Sequence, residues 1–438
     1  MVSDSNDDSD SSALASRWLS TAVPASMTVD HTDYQLSGMD LAMKLHYLRI
    51  LYYFQPSETI VGLTARERTS ALLKDPLFLT LDHFRQVAGR IRKDGTGRPH
   101  IKCNDSGVRV VEVTCERSVE EWLEDRSPDR DAQLVPDEVL GPDLVFSPLA
   151  FLQFTRFKCG GLAVGVSWSH VLGDAVSASK CINLWGSLLS GSPKLQKSNR
   201  SPNPKNLTMT PATGDPLSTK QVGLSGDLWL PHTEHRMVTS SFKVSRTKLS
   251  RLQSKTSSGI PAFEAIAALM WKVLAKIRVG KDPSMVTVIR NDCSEERNTS
   301  LSNKQIISTV ATDSSLAKLE ISELAKLISE ASKDETQAIG EMLERENGTG
   351  DFIIYGANLT FVDMERVDLY GLELKGQKPV RVEYNICGVG EEGAVLVLQE
   401  PDDAREGSDN GGKQVVVILP EHEMPKLKEV LGSEWGIA

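Results

Sequence analysis

The stretch "GLAVGVSWSHVLGDAVSAS", residues 161–179, decides how this chain is read. A Val- and Gly-rich apolar run stops at His170, Asp174 follows four residues later, and a helix-forming segment begins behind it. Upstream, "PLAFLQFTRFKCGG" (148–161) supplies a second apolar run, so the two read as antiparallel strands joined at Gly160-Gly161. Downstream, Val176, Ile182, Trp185, Leu188 and Leu189 carry the spacing of an amphipathic helix over 174–191. His170 is thereby placed at a strand-to-helix junction, where a side chain can project into a cleft. Two readings stay open on the residues alone. His170 either ends a strand and bonds to backbone while Asp174 caps the next helix, or it is a general base for an attacking alcohol or amine. In the second reading Asp174 orients the loop or the ring, and Gly173 permits a tight turn.

The flanking sequence predicts an α+β chain in two halves. "SGMDLAMKLHYLRILYYF" (37–54) reads as a short helix running into an aromatic strand, and "TARERTSALLKDPLFLTLDHF" (64–84) as a helical stretch with a turn at Asp75-Pro76. "IKCNDSGVRVVEVTC" (101–115) reads as strand, turn, strand. Residues 191–235 shift to Ser, Pro, Asn, Lys and Thr, which marks a crossover linker between an N-terminal domain (13–190) and a C-terminal domain (236–438). The second half opens with "MVTSSFKVS" (237–245), then a strong helix at 261–278 with Pro261 suited to its first turn. A strand over 284–290, one or two helices over 320–346 and a closing hairpin around the polar loop 401–413 complete it. Residues 1–12 are acidic and serine-rich and are expected to be a disordered tail.

Composition excludes several classes. The chain has 438 residues and a net charge of −10, which argues against a nucleic-acid surface. No apolar run approaches the roughly 20 residues of a membrane span, and the N-terminus lacks the pattern of a signal peptide. The six cysteines, Cys103, Cys115, Cys159, Cys181, Cys293 and Cys387, are scattered without metal spacing and are expected to be reduced thiols, with no metal site. Ser167 and Ser169 lack the glycines of a nucleophile elbow, so a serine-hydrolase reading fails.

Taken together, "SHVLGDA" (169–175) after the Cys-Gly-Gly hairpin, "VAGRI" (87–91), "AFEAIAALMWK" (262–272) and "LPEHEMPKLKEVL" (419–431) resemble the plant BAHD acyl-CoA-dependent acyltransferases over nearly the whole length. That resemblance implies two chloramphenicol-acetyltransferase-like domains with mixed β-sheets, a channel between them, and His170 at its centre as general base. It implies acyl-CoA as substrate or ligand and no permanently bound cofactor; no cofactor-binding residue can be assigned. Two family features are eroded. The DFGWGKP signature aligns with "ELKGQKP" (373–379), keeping only Lys378 and Pro379, and the interdomain D-x-R aligns with Val288 and Arg290. If the family arginine pairs with the motif aspartate, Arg290 is the residue expected to reach Asp174.

"MDLAMKLHYLR" (39–49), "VLGPDLVFSPLAFLQFTRFKCGGL" (139–162) and "DFIIYGANLTFVDMERVDLYGLEL" (351–374) resemble the ECERIFERUM/glossy branch of that superfamily. In that branch HxxxD is kept and DFGWG is lost. The branch implies an accessory factor of the fatty-acid elongase, working with a β-ketoacyl-CoA synthase to extend very-long-chain acyl-CoAs for cuticular wax. The expected setting is the cytosolic face of the endoplasmic reticulum, as a monomer held there by its partner. The alternative is an acyl-CoA-dependent O- or N-acyltransferase using His170.

Overall fold

A computed structural model describes residues 14–29, 32–64, 69–125, 130–136, 146–191, 214–223, 233–256, 259–278, 280–291, 300–330, 332–400 and 411–437. The expected tail at 1–12, most of the linker and residues 401–410 of the closing loop lie outside these residues.

The 148–170 hairpin forms as read. Strands Ala150–Phe157 and Leu162–Ser169 pair antiparallel, Ala150 opposite Trp168 and Arg156 opposite Leu162. Every residue of Leu162–Ser169 is buried, which is why its sequence is a continuous apolar run and not an alternating one. It lies inside a six-stranded sheet ordered Leu14–Ala22, Val108–Cys115, Ala150–Phe157, Leu162–Ser169, Tyr47–Phe54, Arg381–Cys387. The last of these comes from the far end of the chain and pairs antiparallel with Tyr47–Phe54. The two strands expected in 101–115 belong to different sheets: Pro99–Lys102 joins Asp33–Gln35 and Arg90–Lys93, while Val108–Cys115 enters the six-stranded sheet.

A second, seven-stranded mixed sheet runs Met237–Val244, Lys413–Pro420, Ala394–Gln399, Leu359–Asp363, Met285–Arg290, Ile306–Ala311, Lys333–Asp334. It contains the closing hairpin, with Ala394 opposite Ile418. Helix Ala262–Ile277, apolar on most sides, packs on this sheet in one hydrophobic cluster. Pro261 stands just before its first turn, and the 320–346 stretch is two helices, Ile321–Glu330 and Thr336–Arg345. The larger cluster joins the two halves, carrying Trp168, Val171, Trp185 and Leu172 from one and Ile289, Ile354, Tyr355, Leu372 and Ile386 from the other.

The turn expected at Asp75-Pro76 is corrected: helix Thr69–His83 runs through Pro76. A proline inside a helix removes one backbone bond and strains the preceding turn. Here the Leu73 carbonyl, in that turn, accepts a hydrogen bond from Trp185 Nε1 at 2.9 Å, and the Pro76 carbonyl accepts one from Thr80 Oγ1 at 2.9 Å. Packing against the helix after His170 thus sustains a helix that local rules would end. Cys103, Cys115, Cys159, Cys181 and Cys387 are free thiols.

Candidate functional site

Strand Leu162–Ser169 delivers His170 into a single 3-10 turn, His170–Leu172, and helix Ala175–Leu189 starts three residues later. Gly173 makes the reversal with φ 138°; a Cβ there would lie 2.6 Å from Ser177 Cβ and 2.9 Å from the Ser302 nitrogen. The Gly173 carbonyl accepts from Trp168 Nε1 at 3.0 Å, which ties the turn back to the strand.

Asp174 is the N-cap of that helix. One carboxylate oxygen accepts from the Ser177 N–H at 2.9 Å, and the other accepts from the Lys304 N–H at 3.0 Å. Burial raises its pKa, opposed by those same donors. The expected partnership with Arg290 is not made. Arg290 Nη2 instead meets Glu264 Oε1 at 3.0 Å, with its guanidinium over the Phe263 ring. Asp174 therefore ties the start of its own helix to the Lys304 backbone of the other half.

His170 is fully buried, 0% exposed. Its N–H donates to the His46 carbonyl at 3.0 Å, and its carbonyl accepts from Asn303 Nδ2 at 2.8 Å. Nε2 lies 3.0 Å from the Tyr355 hydroxyl, and that hydroxyl accepts from Gln305 Nε2 at 2.7 Å. Asn303 also donates, through its N–H at 3.0 Å and Nδ2 at 2.9 Å, to Oδ1 of Asp40. His46 stands edge-on to the Tyr355 ring at 4.9 Å and accepts the Ile354 N–H at Nε2, 3.2 Å away. The seam between the two halves is thus closed at His170. Two surface hollows of ≈ 420 and ≈ 400 Å³ occur elsewhere, and neither is lined by His170.

Burial pushes the His170 imidazole down to about 4, opposed by its own carbonyl and Asn303, and the His46 imidazole down to about 3, with His170 as the second cause. Both rings are neutral at pH 7. Unfolded, each binds a proton below about 6.5, whereas folded each does so only near 4 and 3. The unfolded state holds more protons in that interval, so the rings' contribution to stability falls as pH drops from about 6.5 towards 4. Lowering the pH from 7 to 5 is expected to destabilise wild type by about 1–2 kcal/mol more than His170→Asn. Urea unfolding of both at the two pH values measures this, and an unchanged difference contradicts it.

The "ELKGQKP" segment lies at the other end of the helix. Its turn closes between Leu374 and Gln377, Lys375 N–H donates to Ser190 Oγ at 3.1 Å, and a Cβ on Gly186 would sit 2.7 Å from the Glu373 carbonyl. Helix Ala175–Leu189 spans about 22 Å at 1.5 Å per residue, which separates the altered segment from His170 by the length of that helix. Among the described residues, the grouping with metal-ligand spacing is Glu234, His235 and Glu391, not at His170. There Glu391 accepts the N–H groups of Glu234 and His235, at 2.8 and 3.2 Å, a loop-holding role.

Sequence reading placed His170, Gly173 and Asp174 together. It did not single out His46, Asp40, Asn303, Gln305 or Tyr355, although His46, Asp40 and Tyr355 lie in the stretches 39–49 and 351–374 quoted above.

An HxxxD histidine between two mixed sheets defines the class. Residues 18–432 match the Transferase family model, and the chain belongs to that family, the BAHD acyltransferases. It is 40% identical over 417 residues to Protein ECERIFERUM 26-like of Arabidopsis thaliana, covering 94% of this chain and 93% of that one. It is 38% identical over 437 residues to Protein ECERIFERUM 2 of the same plant, covering 95% and 98%. Among solved structures, vinorine synthase superposes with a TM-score of 0.73 at 18% identity, covering 96% of this chain and 98% of that one, which establishes a shared fold.

Proposed function

We propose that this chain is an accessory factor of the fatty-acid elongase, acting with a β-ketoacyl-CoA synthase to extend very-long-chain acyl-CoAs for cuticular wax. The observation that carries this reading is the occupied histidine: Nε2 of His170 is engaged by Tyr355 and the ring is 0% exposed. Full-length likeness to ECERIFERUM proteins supports it. No described helix is long and apolar enough to cross a membrane. In this reading the partner holds the chain at the cytosolic face of the endoplasmic reticulum.

The second reading is an O- or N-acyltransferase, favoured by a neutral His170 imidazole. There Nε2 takes the proton of the acceptor, the acceptor attacks the thioester carbonyl, and CoA leaves. The test is co-expression of wild type and His170→Ala with a plant condensing enzyme in yeast, with acyl chain lengths profiled. Both forms are expected to lengthen the products. Extension by wild type alone moves the acyltransferase ahead.

A further inference from the structure

We propose that Tyr355 is a fixed stopper of His170: its hydroxyl occupies the place an acceptor alcohol or amine takes at Nε2, and so holds the fold in a non-transferring state. This rests on the accessory reading and names the residue that enforces it.

The position of the Tyr355 hydroxyl carries the first half of the argument. Gln305 Nε2 is a donor, so at 2.7 Å it fills a lone pair of the Tyr355 oxygen. The same oxygen lies 3.0 Å from Nε2 of His170, so whichever of the two carries the hydrogen, each engages the other. A general base must meet its substrate's proton at about 2.6–3.2 Å, and Tyr355 fills that shell. The seat that proton transfer requires is taken by the chain itself.

The backbone carries the second half. Tyr355 is not on a free lid. Its carbonyl accepts the Gly390 N–H at 2.9 Å, and the Ile354 N–H before it is held by His46 Nε2 at 3.2 Å. Gly356 behind it has φ +81° and donates to Thr360 Oγ1 at 3.0 Å. Gly356 and Gly390 press backbone to backbone: a Cβ on Gly356 would lie 2.4 Å from the Gly390 oxygen, and one on Gly390 2.6 Å from the Gly356 oxygen. The "GVGEEG" turn (388–393) thus has a purpose, which is to clasp the tyrosine turn in place. A residue so anchored on both sides is a permanent fixture, unlike a lid that opens with each turnover.

The probes are palmitoyl-CoA with 1-octanol, read by release of free CoA thiol, and diethyl pyrocarbonate, whose adduct on His170 is mapped by mass spectrometry. Wild type is expected to release no CoA above the blank and to leave His170 unmodified. Tyr355→Ala is expected to release CoA about a hundredfold faster than wild type, the low end of what a general base contributes, and Tyr355→Ala/His170→Ala to lose that gain. Tyr355→Phe keeps the covering ring and loses only the hydroxyl, which controls for misfolding; His170 is expected to become reactive to diethyl pyrocarbonate in Tyr355→Ala and to stay covered in Tyr355→Phe. The proposal is overturned if wild type releases CoA as fast as Tyr355→Ala. It is equally overturned if His170 stays unmodified in a folded Tyr355→Ala or if that variant releases no CoA. Failure of the accessory reading is separable: wild type then fails to lengthen products beside the condensing enzyme in yeast, whatever Tyr355→Ala does to palmitoyl-CoA.

Discussion

Replacing Lys44 with methionine is expected to destabilise the protein by about 3–5 kcal/mol, the loss that follows when one partner of a buried ion pair is removed. Lys44 follows the short helix Gly38–Ala42 and is 2% exposed. Its ammonium lies 2.6 Å from Asp351 and donates to the Thr349 carbonyl at 3.1 Å. Burial lowers its pKa, and Asp351 opposes that as the next cause. Methionine fills much the same volume but takes the Lys44 ammonium away from the buried Asp351 carboxylate, four residues before Tyr355. The double variant Lys44→Met/Asp351→Leu is expected to recover most of the loss, since a buried pair replaced whole by apolar groups is often neutral. Urea unfolding of the three proteins decides it. If the double variant is as unstable as the single one, the stranded charge is not the cause.

Asp174→Ala is the second large effect, expected at about 2–4 kcal/mol. An N-cap contributes about 0.5–2 kcal/mol, and leaving the Lys304 N–H without its acceptor adds about 1–3 kcal/mol. Asp174→Asn keeps an oxygen for Ser177 but turns an amide donor toward Lys304, so its cost is expected at about half. Arg290→Ala serves as the control, because Arg290 bonds Glu264 and not Asp174. Urea midpoints that rank Asn above Ala, with Arg290→Ala giving no coupling to Asp174→Ala in the double variant, support the cap. Strong coupling between 174 and 290 removes it.

The parts of the site legible in the sequence are those held by local geometry. A Gly-Gly turn between two apolar runs specified the 148–170 hairpin, and an aspartate before an amphipathic stretch specified the cap, because both depend on near neighbours. Tyr355 was not legible: it meets His170 across 185 positions, and a tyrosine in "IIYGAN" reads equally well as core. Asn303 and Gln305 sit in a plain polar segment with no periodicity to mark them. Arg290 misled because a family pairing was carried over to a residue whose own neighbour, Glu264, one helix away, satisfies it. Pro76 misled in the opposite sense, a sound local rule overridden by a tryptophan more than a hundred residues downstream. Strand Arg381–Cys387 alternates between buried and partly buried positions, yet the sequence reading placed no strand there and so missed the sheet it joins.

That strand sets an order of events during synthesis. Tyr47–Phe54, the apolar run "YLRILYYF", has Arg381–Cys387 as its neighbour on one flank, and that neighbour emerges from the ribosome about 330 residues later. At about 5–20 residues per second, the wait lasts from roughly a quarter of a minute to over a minute. Throughout it, the first sheet has an open flank whose N–H and C=O groups are unpaired, a template for joining other chains. A message truncated anywhere before Arg381 yields a product that keeps this flank open permanently. Cutting the chain at its linker separates Tyr47–Phe54 from the strand that covers this flank.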